Sequence, residues 1–325
     1  MNANTTTGQP ASRGLLIAAF TAVYLVWGST YLAIRVAVET MPPFLMAATR
    51  FLFAGLTLFA LLWLRKVPMP TGPQWRSAFI SGNLLLVGGN GLVVWAEQTV
   101  SSSLAALIIA TTPAWFALLD WLRPGGTRPR LQTVIGICVG FAGVSLLVNL
   151  HGKANTPGEI SLIGIIAVVT ATALWAAGTL HSKHNPKPES LFMAGAIQMI
   201  CGGAGLLLTA LIFREPSRAH WSDFSAHSIW SLIYLIVFGS WVAFSAYAWL
   251  VKHTTSAKLS TYAYVNPVIA VFLGWLFLKE PITSRTLCAG AIILTGVIII
   301  TLPPKVTAVF RFRKVNRLET RQRSP

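Results

Sequence analysis

Apolar residues in this chain come in long unbroken runs rather than in alternation. Ten such runs lie near 14–36, 43–64, 75–95, 101–121, 131–150, 159–180, 190–213, 228–250, 257–278 and 285–303. Each is close to the length a helix needs to cross the hydrocarbon core of a bilayer, about 20 residues. The gaps between them are short and carry turn chemistry: Met41-Pro42-Pro43, Pro68-Met69-Pro70-Thr71-Gly72-Pro73, Pro124-Gly125-Gly126 and Asn185-Pro186-Lys187-Pro188. The runs are too long for strands and lack the period of two that a membrane barrel shows. The pattern predicts an all-α polytopic membrane protein with ten transmembrane helices. Residues 1–13 read as a polar leader and 304–325 as a basic tail. The first run, Leu15 to Val38, outlasts the apolar core of a signal peptide and is expected to stay as a span.

Composition points the same way. The chain is 54% hydrophobic and only 10% charged, whereas a soluble domain runs near 25% charged. The net charge of +16 raises the question of nucleic acid. Its distribution answers it: Lys and Arg gather in the short gaps and the tail, so no nucleic-acid partner is expected. With the N-terminus in the cytoplasm, the outer gaps hold Arg35, Lys153, Arg214, Arg218, Lys279 and Arg285. Arg50 falls within a span, and every other Lys and Arg lies inside. The positive-inside rule then sets a multi-pass inner-membrane protein with both termini cytoplasmic. The basic tail is expected to lie near anionic headgroups.

The chain also repeats itself. At one constant offset Trp95 meets Trp249, Ser102 meets Ser256, Pro113 meets Pro267, Trp121-Leu122 meets Trp275-Leu276, and Gly136 meets Gly290. Both copies run through a tryptophan, a Ser/Thr-rich turn, a mid-span proline, a Trp-Leu exit and a glycine-studded last span. Residues 14–150 and 159–303 therefore read as two related halves of five spans. An odd number of spans turns the second half upside down. Inverted repeats of this kind are a recurring transporter design, with substrate held near the midplane where the halves meet.

Against this frame the chain resembles a known family. Trp27-Gly28-Ser29-Thr30 followed by Arg35, Arg50-Phe51-Leu52, Thr254-Thr255-Ser256-Ala257, Asn266-Pro267-Val268-Ile269-Ala270, Leu278-Lys279-Glu280-Pro281-Ile282-Thr283 and Gly290-Ala291-Ile292-Ile293-Leu294 carry the likeness. Together, in this order, they resemble the EamA family of the drug/metabolite transporter superfamily, over nearly the whole chain. The resemblance implies two inverted five-helix repeats and export of amino acids or other small metabolites. One departure is visible: family members carry a Gly-Glu pair after the fourth span, where this chain reads Pro124-Gly125-Gly126-Thr127.

Several residues are candidates for the transport path. Pro113 and Pro267 each remove a backbone donor inside a span and are expected to kink helices lining a central cavity. Thr111, Thr112 and Asn266 stand beside them and can bond the freed carbonyls. Asn90 in Gly88-Gly89-Asn90-Gly91 is expected to face the interior, for substrate contact or an interhelical bond. Arg50 sits about two helical turns inside its span, where a charge costs about 2.5–3.5 kcal/mol on insertion scales. It is expected either to hold a substrate carboxylate bidentately or to pair with Glu97 or Glu39. Trp27, Ser29, Trp95, Trp175 and Tyr264 complete the expected lining of an amphipathic cavity. Trp63, Trp75, Trp121, Trp221 and Trp230 read as interfacial anchors, and Gly136 with Gly140 as a close helix contact.

No Walker A sequence exists, so direct ATP-driven transport is not expected. Cys138, Cys201 and Cys288 each lie in an apolar run without CxxC spacing, and His181 and His184 lack a carboxylate set, so no metal or other cofactor is expected. With no acidic residue placed mid-membrane, facilitated transport or exchange is expected. The reading is thus a secondary transporter and not an enzyme. A polytopic enzyme on lipid-linked substrates, or a channel, stands as the alternative. Its partners would be the lipid bilayer and a small-molecule substrate, with the chain a monomer or homodimer.

Overall fold

In a computed structural model of the protein, residues 12–126, 128–147, 161–254 and 261–301 are described. The leader to residue 11, the expected span ends at 148–150, 159–160, 257–260 and 302–303, and the tail lie outside them. The described residues are helical, without strands. The long helices are α1 (Arg13–Ala37), α2 (Pro43–Leu64), α3 (Gly72–Ala96), α4 (Ser102–Leu122), α5 (Leu131–Leu147), α6 (Leu162–His184), α7 (Leu191–Ile212), α8 (Ala226–Leu250), α9 (Tyr262–Leu278) and α10 (Ser284–Thr301). Eight of them are long and apolar enough to cross a membrane; α5 and α9 are apolar but shorter. The protein is therefore an all-helical polytopic membrane protein.

Local sequence sets the helix starts. Ser12, Ser101, Ser161 and Ser190 stand at N-caps, and their hydroxyls accept from the amides of Leu15, Leu104, Gly164 and Met193. Helix α3 begins earlier than the hydropathy pattern indicates. Thr71 and Gln74 form a capping box there, and Pro73 fits the first turn, where no donor is required.

The packing has a regular order. Helix α1 packs on α8 and α9, while α6 packs on α3 and α4. Helix α2 packs on α8, while α7 packs on α3. Helices α2 and α7 lie together, as do α5 and α10. Adding five to each helix number maps this set of pairs onto itself. The α5–α10 contact is backbone against backbone. A Cβ at Gly296 would lie 2.6 Å from the Gly140 amide nitrogen and 2.7 Å from the Gly136 carbonyl. Gly136 and Gly140 thus serve an intramolecular contact. Gly296→Val has only backbone to push against. It is expected to destabilise the purified protein by about 1–3 kcal/mol, as overpacked cores do, read as a lower melting midpoint in detergent.

Two departures from regular helix bear on function. Helix α4 is broken: Ser102–Ile109 and Thr112–Leu122 are separate segments, with Pro113 in the first turn of the second. Pro113 cannot donate to the Ile109 carbonyl, and the Thr112 hydroxyl donates to it instead at 2.5 Å. The Thr111 hydroxyl donates to the Ile108 carbonyl at 2.7 Å. Pro267, by contrast, lies inside the continuous α9. The two matched prolines therefore act differently, one as a break and one within a helix. Helices α3 and α8 each widen into a π-helical segment, Asn83–Gly91 and Leu235–Val242. Such segments are rare and often mark functional sites.

Candidate functional site

The π segment of α8 gathers the first group of polar and aromatic side chains. The Trp27 indole of α1 donates to the Gly239 carbonyl at 3.4 Å. Arg50 of α2 approaches the same glycine: a Cβ at Gly239 would sit 3.0 Å from Nη2 of Arg50 and 3.2 Å from Cγ2 of Thr30. The absent side chain therefore lets the guanidinium reach the α8 backbone. Arg50 Nε donates to the Ser240 hydroxyl at 3.1 Å, and that hydroxyl donates on to the Leu235 carbonyl. Arg50 is buried, its guanidinium lies 4.6 Å over the Phe51 ring, and its Nη1 has no hydrogen-bond partner. Neither Glu97 nor Glu39 pairs with it, which corrects the ion-pair alternative. The reason is register: two turns into α2, Arg50 faces α1 and α8, whereas both glutamates lie beyond the ends of their helices.

Around this charge the surfaces are aromatic and hydroxylic. The Trp27 ring centroid lies 5.1 Å from that of Tyr247 and 5.4 Å from that of Tyr262. The Ser29 hydroxyl meets the Tyr234 hydroxyl at 2.6 Å. Asn266 of α9 is buried, and its amide is placed to donate to the Tyr24 and Tyr262 carbonyls at 3.3 and 3.2 Å.

A second group sits on the π segment of α3. A Cβ at Gly89 would lie 2.9 Å from the Trp175 ring of α6. Asn90 is next to it, with its side-chain oxygen buried and unpartnered. The two groups match: a tryptophan of α1 on a glycine of α8, and a tryptophan of α6 on a glycine of α3. Trp95 and Trp175 are 36% and 38% exposed, so each presents a face outward as well. Thr112 is engaged with the α4 break. Tyr264 packs against the apolar cluster of Ile108, Val168 and Ile293. These last residues are not drawn into either group.

The ends of the bundle carry features that the sequence reading passed over. The Glu280 carboxylate, just beyond α9, accepts from the backbone amides of Ser102 and Ser103 at 2.8 and 3.1 Å, and from both their hydroxyls. It thereby caps the start of α4. Glu215, just beyond α7, accepts from the amides of Phe44 and Leu45 at 3.3 and 2.7 Å and caps the start of α2. Burial pushes the Glu215 carboxyl above its ordinary range, against the pull of those amides. Each glutamate follows a basic residue in the left-handed region, Arg214 with φ 56° and Lys279 with φ 53°. Lys66 and Gly125, with φ 56° and 74°, end α2 and α4 in the same way, but Val67 and Gly126 follow them. A Cβ at Gly126 would lie 1.7 Å from the Asp120 carbonyl, so this backbone has no room for a side chain there. The recurrence of basic-Glu-Pro at Arg214-Glu215-Pro216 and Lys279-Glu280-Pro281 was the signal available in the sequence.

Two hollows sit at opposite ends of α4. One, of about 400 Å³, is lined by Trp275, Lys279 and Glu280. The other, of about 260 Å³, is lined by Arg123, His181 and His184. Arg123 there pairs with Asp120 at 3.3 Å. Neither hollow is lined by Arg50, Trp27 or Asn90. No metal-binding group forms among the described residues.

The interior of this polytopic helical bundle thus holds a buried arginine with no ion-pair partner among the described residues, beside two matched π segments. The EamA-like transporter family model matches twice, at residues 13–149 and 162–302. The chain belongs to that family. It is 36% identical to YedA, an uncharacterized inner membrane transporter of Escherichia coli (strain K12), over 88% of this chain and 90% of that one. It is 26% identical to the uncharacterized transporter YvbV of Bacillus subtilis (strain 168), over 91% and 94%. One solved crystal structure of a protein aligns over 90% of this chain and 99% of that one, with a TM-score of 0.60 and 21% identity. At that identity the likeness is one of fold.

Proposed function

We propose that this membrane transporter is a secondary carrier that exports amino acids or related small polar metabolites by alternating access. The observation that carries the substrate class is Arg50. A buried guanidinium with a free Nη1 and one neutral hydroxyl partner lacks the counter-charge that a buried ion ordinarily requires. A substrate carboxylate supplies it, in the fork geometry that arginine favours. Trp27, Tyr247 and Tyr262 then offer aromatic walls to the rest of the molecule, and Ser29 and Tyr234 offer hydroxyls.

The carrier reading rests on the arrangement of the helices. Ten spans form two five-helix repeats, residues 14–150 and 159–303, inserted upside down relative to each other in the inner membrane. Support comes from the double family match and from helix pairs that map onto themselves when five is added. In this frame both termini are cytoplasmic, and the Glu215 and Glu280 caps lie at the outer end. Trp27 with Asn266 from one side, and Trp175 with Asn90 from the other, face the transport path.

The test is counterflow. Purified protein in vesicles preloaded with unlabelled amino acids is expected to accumulate labelled amino acid transiently and saturably. Absence of counterflow for every amino acid tested overturns the substrate class. Absence of saturable flux for a wider metabolite panel overturns the carrier itself.

A further inference from the structure

We propose that Glu97 is a proton-binding site that controls opening of the outer end: the closed end holds it as the neutral acid, and opening lets it ionise. Glu97 directly follows α3 and is 0% exposed. Both carboxyl oxygens are buried without a hydrogen-bond partner. An ionised carboxylate in such surroundings loses its hydration and gains no donor in exchange.

Among the described residues the charged and titratable neighbours are few. From α1, the Arg35 guanidinium donates to the Glu97 backbone carbonyl rather than to its carboxylate, and Tyr31 lies within the field of the acid. From beyond α9 comes Glu280. Helix α6 packs on this part of α3, and its first titratable side chain is His181 at the far end. The cation of α2, Arg50, is turned to Ser240. The start of α4 offers Ser102 and Ser103, both already donating to Glu280. Burial first, and the Glu280 charge second, push the Glu97 carboxyl well above its ordinary range against the attraction of Arg35.

Glu280 couples the proton to the gate. Its charge holds the start of α4 through four donors, and the same charge opposes ionisation of Glu97. Two close carboxylates resist being charged together. A neutral Glu97 leaves the Glu280 cap on α4 unopposed. An ionised Glu97 sets the two charges against each other, and separating the outer end relieves both the repulsion and the desolvation. The closed form binds the proton more tightly. Its advantage is complete below the ordinary carboxylate range and is lost as pH rises through the raised closed-state value. The proton leaves to the outer side and returns from it, so it gates the cycle without driving it.

This inference rests on the alternating-access reading for which end moves, and the test separates the two. Full-length protein with Cys138, Cys201 and Cys288 changed to Ala carries spin labels at Gln98→Cys and Ile282→Cys, on either side of the clasped end. Distances are recorded in lipid nanodiscs by double electron–electron resonance from about pH 5 to about pH 9. The long-distance population is expected to grow with pH, with a midpoint well above that of an ordinary glutamate. Glu97→Gln is expected to lose that dependence and stay short throughout, while Glu97→Asp keeps a titration with a shifted midpoint. A wild-type distance indifferent to pH, or the same titration in Glu97→Gln, overturns the proposal. If Glu97→Gln does not fold, an unmoved midpoint in Glu97→Asp overturns it equally. Counterflow with a pH-indifferent distance removes the proton site and leaves the carrier. A pH-driven distance change without saturable flux does the reverse.

Discussion

Replacing Arg50 with methionine is expected to cut counterflow about 10- to 100-fold while leaving the purified protein as stable as the wild type or more so. The two readouts move apart for a physical reason. A charged group in the bilayer interior is unfavourable to insert by about 2.5–3.5 kcal/mol. In the resting structure the charge regains one hydrogen bond, to Ser240, and a contact over the Phe51 ring. Methionine fills much of the same volume without the charge. Ser240 keeps its own bond to the Leu235 carbonyl, so no new buried polar group is orphaned. Only substrate recognition suffers. A charge-assisted contact contributes about 1.5–3 kcal/mol, which corresponds to about 10- to 100-fold in counterflow rate at subsaturating substrate. Arg50→Lys keeps the charge but not the planar fork, and is expected to fall between the two. Equal losses of melting midpoint and flux in Arg50→Met would assign the arginine to structure.

The spans were legible because the bilayer sets their length and apolarity, and each run can be recognised without knowing its neighbours. Local backbone chemistry was legible too. Thr111 and Thr112 stand next to Pro113, and their hydroxyls take the carbonyls beside it. What stayed hidden depends on which helix faces which. Arg50 and Glu97 looked like partners because both were placed near the outer side. In the fold Arg50 meets α1 and α8, while Glu97 is enclosed near Glu280 and Arg35. The π segments at Asn83–Gly91 and Leu235–Val242 leave no periodic trace in runs that are apolar along most of their length. Their glycines serve tryptophans from helices far away in the chain. Glu280 drew notice through a family motif alone. Its role as a cap on α4 joins residues nearly two hundred positions apart, and capping rules describe only what lies within one turn.

Gly274→Ala is expected to loosen the start of α4 as strongly as removal of Glu280 itself. The cap depends on a close approach that glycine alone permits. A Cβ at Gly274 would lie 2.5 Å from Oε2 of Glu280 and 2.6 Å from Oγ of Ser103. The turn that delivers the carboxylate is built on Lys279 in the left-handed region, with the Glu280 amide donating to the Gly274 carbonyl at 3.1 Å. With the carboxylate displaced, the Ser102 and Ser103 amides lose the acceptors that Glu280 supplies. Loss of about 2 kcal/mol from such charge-assisted bonds predicts about 30-fold faster amide exchange in the first turn of α4. Hydrogen exchange read by mass spectrometry checks this, with the core of α6 expected to remain at its wild-type rate. Faster exchange in both places would mean general unfolding, and no change in α4 would mean that the cap holds nothing. The same comparison separates the two ends of the bundle. Glu215 and Glu280 brace the starts of α2 and α4, whereas Val67 and Gly126 stand at the corresponding turns of the opposite end. An end braced by two capping carboxylates opens less readily than one with no such cap. Glu280→Ala should therefore raise the share of molecules open at the braced end without altering the other.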